Sequence, residues 1–254
     1  MKIFNCKKVH QYLYGQVPAY FSFINKRKNI FLKLIILHLF IGIFSTNTAF
    51  ADAHPGIAEN PTNFSLSFLY SNVDLIANNN IINVNQRRIS ASISNTINSY
   101  LDIGLILGSS YLGLDNDTLT EGMDLNGNHI GFLVQGAVGN SAQLGYRAYY
   151  LYQDVKGSDT LRSATLTWVE WLSEASLRLN IGSSWTLNLG AGLLGIEARR
   201  RVNGDLNDSL MLKNNTDFQG HFSISLHTKP DGMITMNIFR GAQSGAALTF
   251  SKNY

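Results

Sequence analysis

The sequence predicts an all-β fold, and three observations predict it. Apolar and polar residues alternate with period two through most of the chain after residue 51. Clusters of Asn, Asp, Gly and Ser separate the alternating runs at the places where turns are needed. The last ten residues, Gly245 to Tyr254, place Ala246, Leu248, Phe250 and Tyr254 on one face, broken only by Lys252. Gly245, Ala247, Thr249, Ser251 and Asn253 take the other face.

Each run justifies a strand in turn. Phe64, Leu66, Phe68 and Tyr70 alternate with Ser65, Ser67, Leu69 and Ser71, and Ile89, Ala91 and Ile93 with Arg88, Ser90, Ser92 and Ser94. Leu101, Ile103, Leu105 and Leu107 oppose Asp102, Gly104, Ile106 and Gly108. Ile130, Phe132, Val134 and Val138 form the next apolar row; Leu144, Tyr146, Ala148, Tyr150 and Tyr152 follow it. In the second half the rows are Trp185 to Leu193, Phe218 to Leu226, and Ile234, Met236 and Ile238. Between Leu161 and Ile181 the apolar face runs Ala164, Leu166, Trp168, then resumes out of phase at Leu177, Leu179 and Ile181. A turn near Leu172 to Ala175 gives eleven strands, whereas a bulge or short interruption within one strand gives ten. Ten is the expectation, within a range of eight to twelve.

Alternation alone also suits a soluble barrel, whose apolar face points inward. The polar face decides between the two. A soluble sheet coats its wet side with Lys and Glu. Here that face is Ser, Thr, Asn, Gln and Gly with scattered Arg and Asp, which suits a crowded, hydrogen-bonded interior. Rows of Leu, Ile, Phe and Tyr suit lipid, and backbone in lipid forces the sheet to close. The prediction is therefore a closed antiparallel transmembrane β-barrel. Long polar stretches at 72–86, 113–128 and 199–216 read as external loops, and the short gaps at 96–99, 139–141, 183–184 and 229–232 as periplasmic turns.

The N-terminus supports export. Residues 1–51 hold seven Lys or Arg and no acid, an apolar core from about Ile30 to Phe44, and the small-x-small ending Ala49-Phe50-Ala51. This describes a cleaved secretory signal peptide, with Ala53 as the alternative site and an uncleaved anchor as the alternative reading. Residues 52–62 are expected to form a short periplasmic segment and 63–254 the barrel. The whole chain carries +3, from 20 basic and 17 acidic residues. Without the leader 13 basic residues face 17 acids, so the net charge becomes −4 and nucleic-acid binding loses its support. The single cysteine, Cys6, lies in the leader, which excludes disulfides and thiol chemistry from the exported part.

The terminal strand ending on Tyr254 resembles the signal by which the barrel-assembly machinery recognises bacterial outer-membrane barrels. With the leader and the alternating strands, it makes the chain similar to small outer-membrane barrels of the OmpA, OmpX and OmpW kind over about residues 62–254. That resemblance implies residence in the outer membrane, contact with its lipid and lipopolysaccharide, and a structural, adhesive or narrow-channel role. No peptidoglycan-binding domain is expected after the barrel, and no cofactor is expected.

Several residues carry possible chemistry. His221 and Ser223 sit two apart, as in outer-membrane phospholipases and lipid A deacylases, where imidazole activates a hydroxyl. Those enzymes work on the lipid-facing wall, whereas here both residues share the predicted lumen face. Ile224 stands where such motifs carry Asn, and the only acid after Ser223 is Asp231. The reading is therefore a polar lumen pair, with a lipid-modifying hydrolase as the alternative. Asp115, Asp117, Glu121 and Asp124 with Asn126 and Asn128 read as a solvated acidic loop or a Ca²⁺ site. The partial EF-hand pattern from Asp124 fails at His129 and Gln135. Asp115, Asp117 and His129 could be arranged as in an omptin-like protease, on residue type alone. Arg88, Asp102, Arg147 and Arg178 are predicted to face the lumen, where paired charges plug the barrel and wet ones line an anion-favouring pore. Plugging is the expectation, because eight to ten strands leave little room. Arg199-Arg200-Arg201 is either a lipopolysaccharide-phosphate contact or a solvated charge run. The overall expectation is a non-enzymatic membrane barrel.

Overall fold

The computed structural model describes residues 62–254, apart from 79, 99, 140, 141, 206, 229 and 230. The predicted leader and its cleavage near Ala51 lie outside the described residues. In chain order the strands are β1 Thr62–Ala77, β2 Asn80–Asn98, β3 Leu101–Asp115, β4 Leu125–Val138, β5 Ala142–Ser158, β6 Arg162–Ile181, β7 Trp185–Gly204, β8 Asp208–Asn214, β9 Phe218–Thr228, β10 Gly232–Gly241 and β11 Ser244–Asn253. Every pairing is antiparallel. Strand β11 pairs with β1 from Asn63↔Asn253 to Asn72↔Ser244, which closes a ring of ten strands. Backbone bonds between Thr62 and Tyr254 bring these two residues together at one rim of the barrel.

Strands β8 and β9 are two halves of one descending wall strand. β9 pairs the first half of β7, Trp185 to Leu193, and β8 pairs its second half, Glu197 to Val202. Between Leu193↔Phe218 and Glu197↔Lys213 the register slips by one residue, so a bulge occupies the junction. Asn214 repairs the damage. Its side-chain oxygen accepts the Ile196 N–H at 3.0 Å, and its amide donates to the Leu194 carbonyl at 2.8 Å, where β7 lacks a strand partner. Beyond the tips of β10 and β11, β8 meets β1 directly at Leu75↔Asn214 and Ile76↔Lys213. The barrel thus has ten strands through its lower part and eight at its outer end.

The ring is also staggered. Cross-strand partners followed at right angles from Leu189 run through Phe222, Ile238, Ala246, Tyr70, Arg87, Tyr111, Asn126, Lys156 and Thr165. They return to β7 at Arg201. That row climbs out of an apolar belt and into polar residues, as the tilt of a closed barrel requires.

The chemistry of the two faces inverts along the strands. On β1, Phe64, Phe68 and Tyr70 are exposed on the outer wall, while the inward Val73, Leu75 and Ala77 further along are buried. β6 does the same with Leu177, Leu179 and Ile181 outside at one end and Ala164, Leu166 and Trp168 buried inside at the other. A membrane strand needs about 9–11 residues, yet β6 and β7 have 20 each. The surplus projects outward as a soluble-type barrel with an apolar core and a wall of Asn, Asp, Thr and Arg. Tyr70, Tyr150, Tyr152 and Trp171 lie towards the outer edge of the lipid belt; Tyr100, Tyr146, Trp185 and Tyr254 lie towards the periplasmic edge.

Two expectations are corrected here. The stretch 161–181 contains neither a turn nor a bulge. It pairs without a slip on both sides, and the change of phase is the inversion just described. The polar stretches at 72–86 and 199–216 are mostly strand rather than loop, because the wall continues beyond the membrane, whereas 113–128 holds the expected loop at residues 116–124. A tight connection suffices between β1 and β2, where Asn78 adopts the left-handed backbone that such turns favour, and Asn116 adopts it at the start of the longer β3–β4 connection.

Heating tests the closed ring. The folded protein in detergent should migrate faster on a gel unheated than boiled, and a single unshifted band would argue against a barrel. Asn214→Ala should remove both repairs at the bulge and cost about 1–3 kcal/mol for each backbone group left buried and unpaired, read by urea unfolding in lipid vesicles.

Candidate functional site

The lumen is built in layers. At the outer end the β3–β4 connection, residues 116–124, folds over the ring as a lid. Arg200 points inward from β7 and ion-pairs with Asp117 in that lid and with Asp208 on β8. Thr120 donates to Asp117 at 2.6 Å, and Met123 and Leu119 pack against the core beneath. Under the lid lies a layer of buried apolar side chains from eight of the wall strands, including Leu75, Val84, Leu112, Leu125, Val155, Leu166, Leu194 and Leu212.

Next comes a carboxylate surrounded by donors. Glu170 on β6 is fully buried and receives both Arg88 guanidinium nitrogens, each at 3.1 Å. Tyr149 donates to it at 2.6 Å and the Trp168 indole at 3.2 Å. A bidentate pair with two further donors is the arrangement that makes a buried charge tolerable. Beside it, the His129 nitrogens lie 2.9 Å from the Ser90 hydroxyl and 2.8 Å from that of Ser110, which donates to Gln153 at 2.7 Å. With the Ser110 proton directed to Gln153, the hydroxyl oxygen of Ser110 is left to accept from His129 Nδ1.

An amide cluster pins the β10–β11 tip. Gln243 donates to Ser71 at 2.7 Å and to Gln86 at 2.9 Å, and exchanges two bonds with Gln219. Towards the periplasm, Glu174 lies 2.8 Å from Arg147 and 3.1 Å from His221 Nδ1. Asp102 accepts from Thr96 at 2.9 Å, and Arg178 lines the same region. Within the membrane section three arginines (Arg88, Arg147, Arg178) face three acids (Asp102, Glu170, Glu174), so the lumen is balanced in charge.

Glycine makes room for both lumen histidines. Gly108 is the cross-strand partner of His129, and a Cβ there would stand 2.7 Å from the ring. Gly190 holds the same relation to His221, with the imidazole against it. Larger residues at either position would push the ring off its partners.

The structure therefore brings Arg88, Asp102, Arg147, Arg178, His221 and Ser223 to the lumen side. It does not bring His221 and Ser223 into contact, since the imidazole faces Glu174 and Asn188, the latter at 3.4 Å. The acids Glu170 and Glu174 were missed in the sequence reading. Their parity with Trp168, Ser176 and Arg178 on one unbroken strand was the available signal. The acidic stretch does not act as one site either. Asp115 bonds Asn85, Asp117 bonds Arg200, Asp124 bonds Tyr111, and Asn126 and Asn128 lie on strand β4. His129 is buried in the lumen away from exposed Asp115, so the omptin-like grouping does not assemble. The arginine triplet divides, with Arg200 inside and Arg199 and Arg201 exposed outside.

Ion pairs and amides inside, a belt of exposed Leu, Ile and Phe outside, and a sheet closed on itself fit a lipid environment. This is a closed β-barrel of the transmembrane type. Among solved structures, the barrel is similar to the β domain of the Bordetella autotransporter BrkA, at 11% identity and a TM-score of 0.46, covering 77% of this chain and 99% of that one. An outer-membrane channel from Pseudomonas putida F1 gives 9%, 0.43, and coverage of 82% and 100%. The outer-membrane protein OprG from Pseudomonas aeruginosa gives 9%, 0.41, and coverage of 76% and 96%. No family model matches the sequence, and no curated protein matches it.

Removing one partner of the central pair tests the network. Glu170→Gln should leave Arg88 buried without a countercharge and cost the barrel about 3–5 kcal/mol in denaturant unfolding. Glu121→Gln, at an exposed lid position, should change stability little. Equal effects from both would mean that the lumen pair contributes no more than a surface charge.

Proposed function

We propose that this barrel is a closed, non-enzymatic scaffold of the outer membrane with a structural or surface-interaction role, rather than a channel. One observation carries the reading. The apolar layer between the lid and the Arg88–Glu170 pair fills the eight-stranded section from wall to wall, where ions would have to shed their water. The projecting polar wall supports a role at the cell surface. In this reading the leader is cleaved near Ala51, and the strand ending at Tyr254 is handed to the assembly machinery.

A lipid-modifying hydrolase is the second reading, and one contact favours it. Glu174 stands where an orienting carboxylate would be needed for His221, supplied from across the sheet rather than from later in the sequence. Against it, Ser223 makes no contact with the imidazole, and both lie inside the wall.

Reconstitution into a planar bilayer separates these roles. The scaffold should show no steady conductance, and its lipid profile should be unchanged by Ser223→Ala. Stable conductance whose ion selectivity shifts with Arg147→Gln would establish a pore instead. Lipid hydrolysis lost in Ser223→Ala would establish the enzyme.

A further inference from the structure

Of the three arginines and three acids in the membrane section of the lumen, one cation and one acid stay open. Arg88 closes on Glu170, with both guanidinium nitrogens at 3.1 Å, and Arg147 closes on Glu174 at 2.8 Å. Arg178 makes no hydrogen bond or ion pair among the described residues. Asp102 accepts from Thr96 and Gln135 but has no ion-pair partner among them. Arg178 and Asp102 are near enough to attract one another through space, yet they do not meet.

The strands between them explain the gap. The Arg178 guanidinium lies over Gly145 of β5, where a Cβ would stand 2.9 Å from its Nε. Asp102 is on β3, and β4 lies between, with Gln135 opposite Asp102 and Ala137 opposite Gly145. Two strand spacings make a span of about 10 Å, and neither Gly145 nor Ala137 puts a long side chain into it. The span is also wet. Along the cross-strand row from Leu69 through Asn237 and Asn188 to Arg178, every residue except Ser223 is partly exposed. One row nearer the outer end, the side chains of Ser71, Phe239, His221 and Ser176 are buried. The lumen below that row is therefore a chamber, closed above and open at the rim where Thr62 meets Tyr254. Its far wall offers no charge, since Ser65 bonds Ser92 and Thr249 bonds Ser67.

We propose that this chamber binds one small zwitterion end to end across the gap, with its carboxylate on the Arg178 guanidinium and its ammonium on the Asp102 carboxylate. A guanidinium fork suits a carboxylate, and opposite charges facing a confined space hold a field that orients such a ligand. Two contacts of about 3 Å each leave about 4 Å of the span for the ligand's own charge separation, which an α- or β-amino acid supplies. The site lies below the apolar layer, so it goes beyond the scaffold reading and is independent of whether the outer end is closed.

Calorimetric titration of the full chain in mild detergent tests the site, with glycine, β-alanine, acetate and methylammonium as probes. Glycine or β-alanine should bind saturably at one site per chain. Acetate and methylammonium should bind about tenfold more weakly, because each fills only one end. Arg178→Gln and Asp102→Asn should each weaken zwitterion binding about tenfold while keeping the heat-dependent gel shift. Ala137→Leu, which fills the floor of the gap, replaces either variant that loses the shift and should weaken binding likewise. The assignment is overturned by an unaltered chain that binds neither zwitterion, by acetate binding as tightly as the zwitterions, or by variants that bind as the unaltered chain does.

Discussion

Every feature of this barrel follows from the demand that no backbone group be left unpaired in hydrocarbon. The pairing of β11 with β1 meets that demand at the seam. The breach of the wall between β8 and β9 is placed where the Asn214 amide substitutes for the missing strand on both Leu194 and Ile196. Closure fixes the stagger as well, and the stagger determines which residues share a level. Lumen partners such as Arg147 and Glu174 are neighbours because their strands are held in that register.

One sheet serves two solvents. In the membrane its outer face is apolar and its inner face is held together by ion pairs and amides. Beyond the membrane its inner face becomes the apolar core and its outer face is wet. The strands are unbroken across this boundary in β6 and β7, so stabilisation changes from hydrogen bonding to hydrophobic burial within a single strand. Trp168 sits at the join, with its ring in the apolar layer and its N–H on Glu170. Loss of the acid would therefore be felt in both layers.

Much of the fold was legible because period two is a strong signal and because lipid-facing rows are uninterrupted. Ten strands follow from the rows, and the lumen face of Arg88, Asp102 and Arg147 from their parity. The inversion was not legible as such. Ala164, Leu166 and Trp168 look like a lipid-facing row unless the reader knows that the strand has already left the membrane. The same misreading hid Glu170 and Glu174, the acids that complete the lumen. Asn214 gives no sign in sequence of its repair, since an Asn between strands reads as a turn. Pairings across the lumen, such as Arg88 with Glu170, depend on the stagger, and a single sequence carries no direct record of it.

Unequal strand lengths give the molecule a front and a back. β6 and β7 stand tall above the membrane with 20 residues each, whereas β10 and β11, with 10 each, end near its surface. A neighbour diffusing in the bilayer meets a high polar parapet from one side and a low sill flush with the headgroups from the other. Lateral encounters are therefore oriented before any specific contact forms, and a cylinder that looks symmetric in cross-section has a preferred bearing in the plane of the membrane.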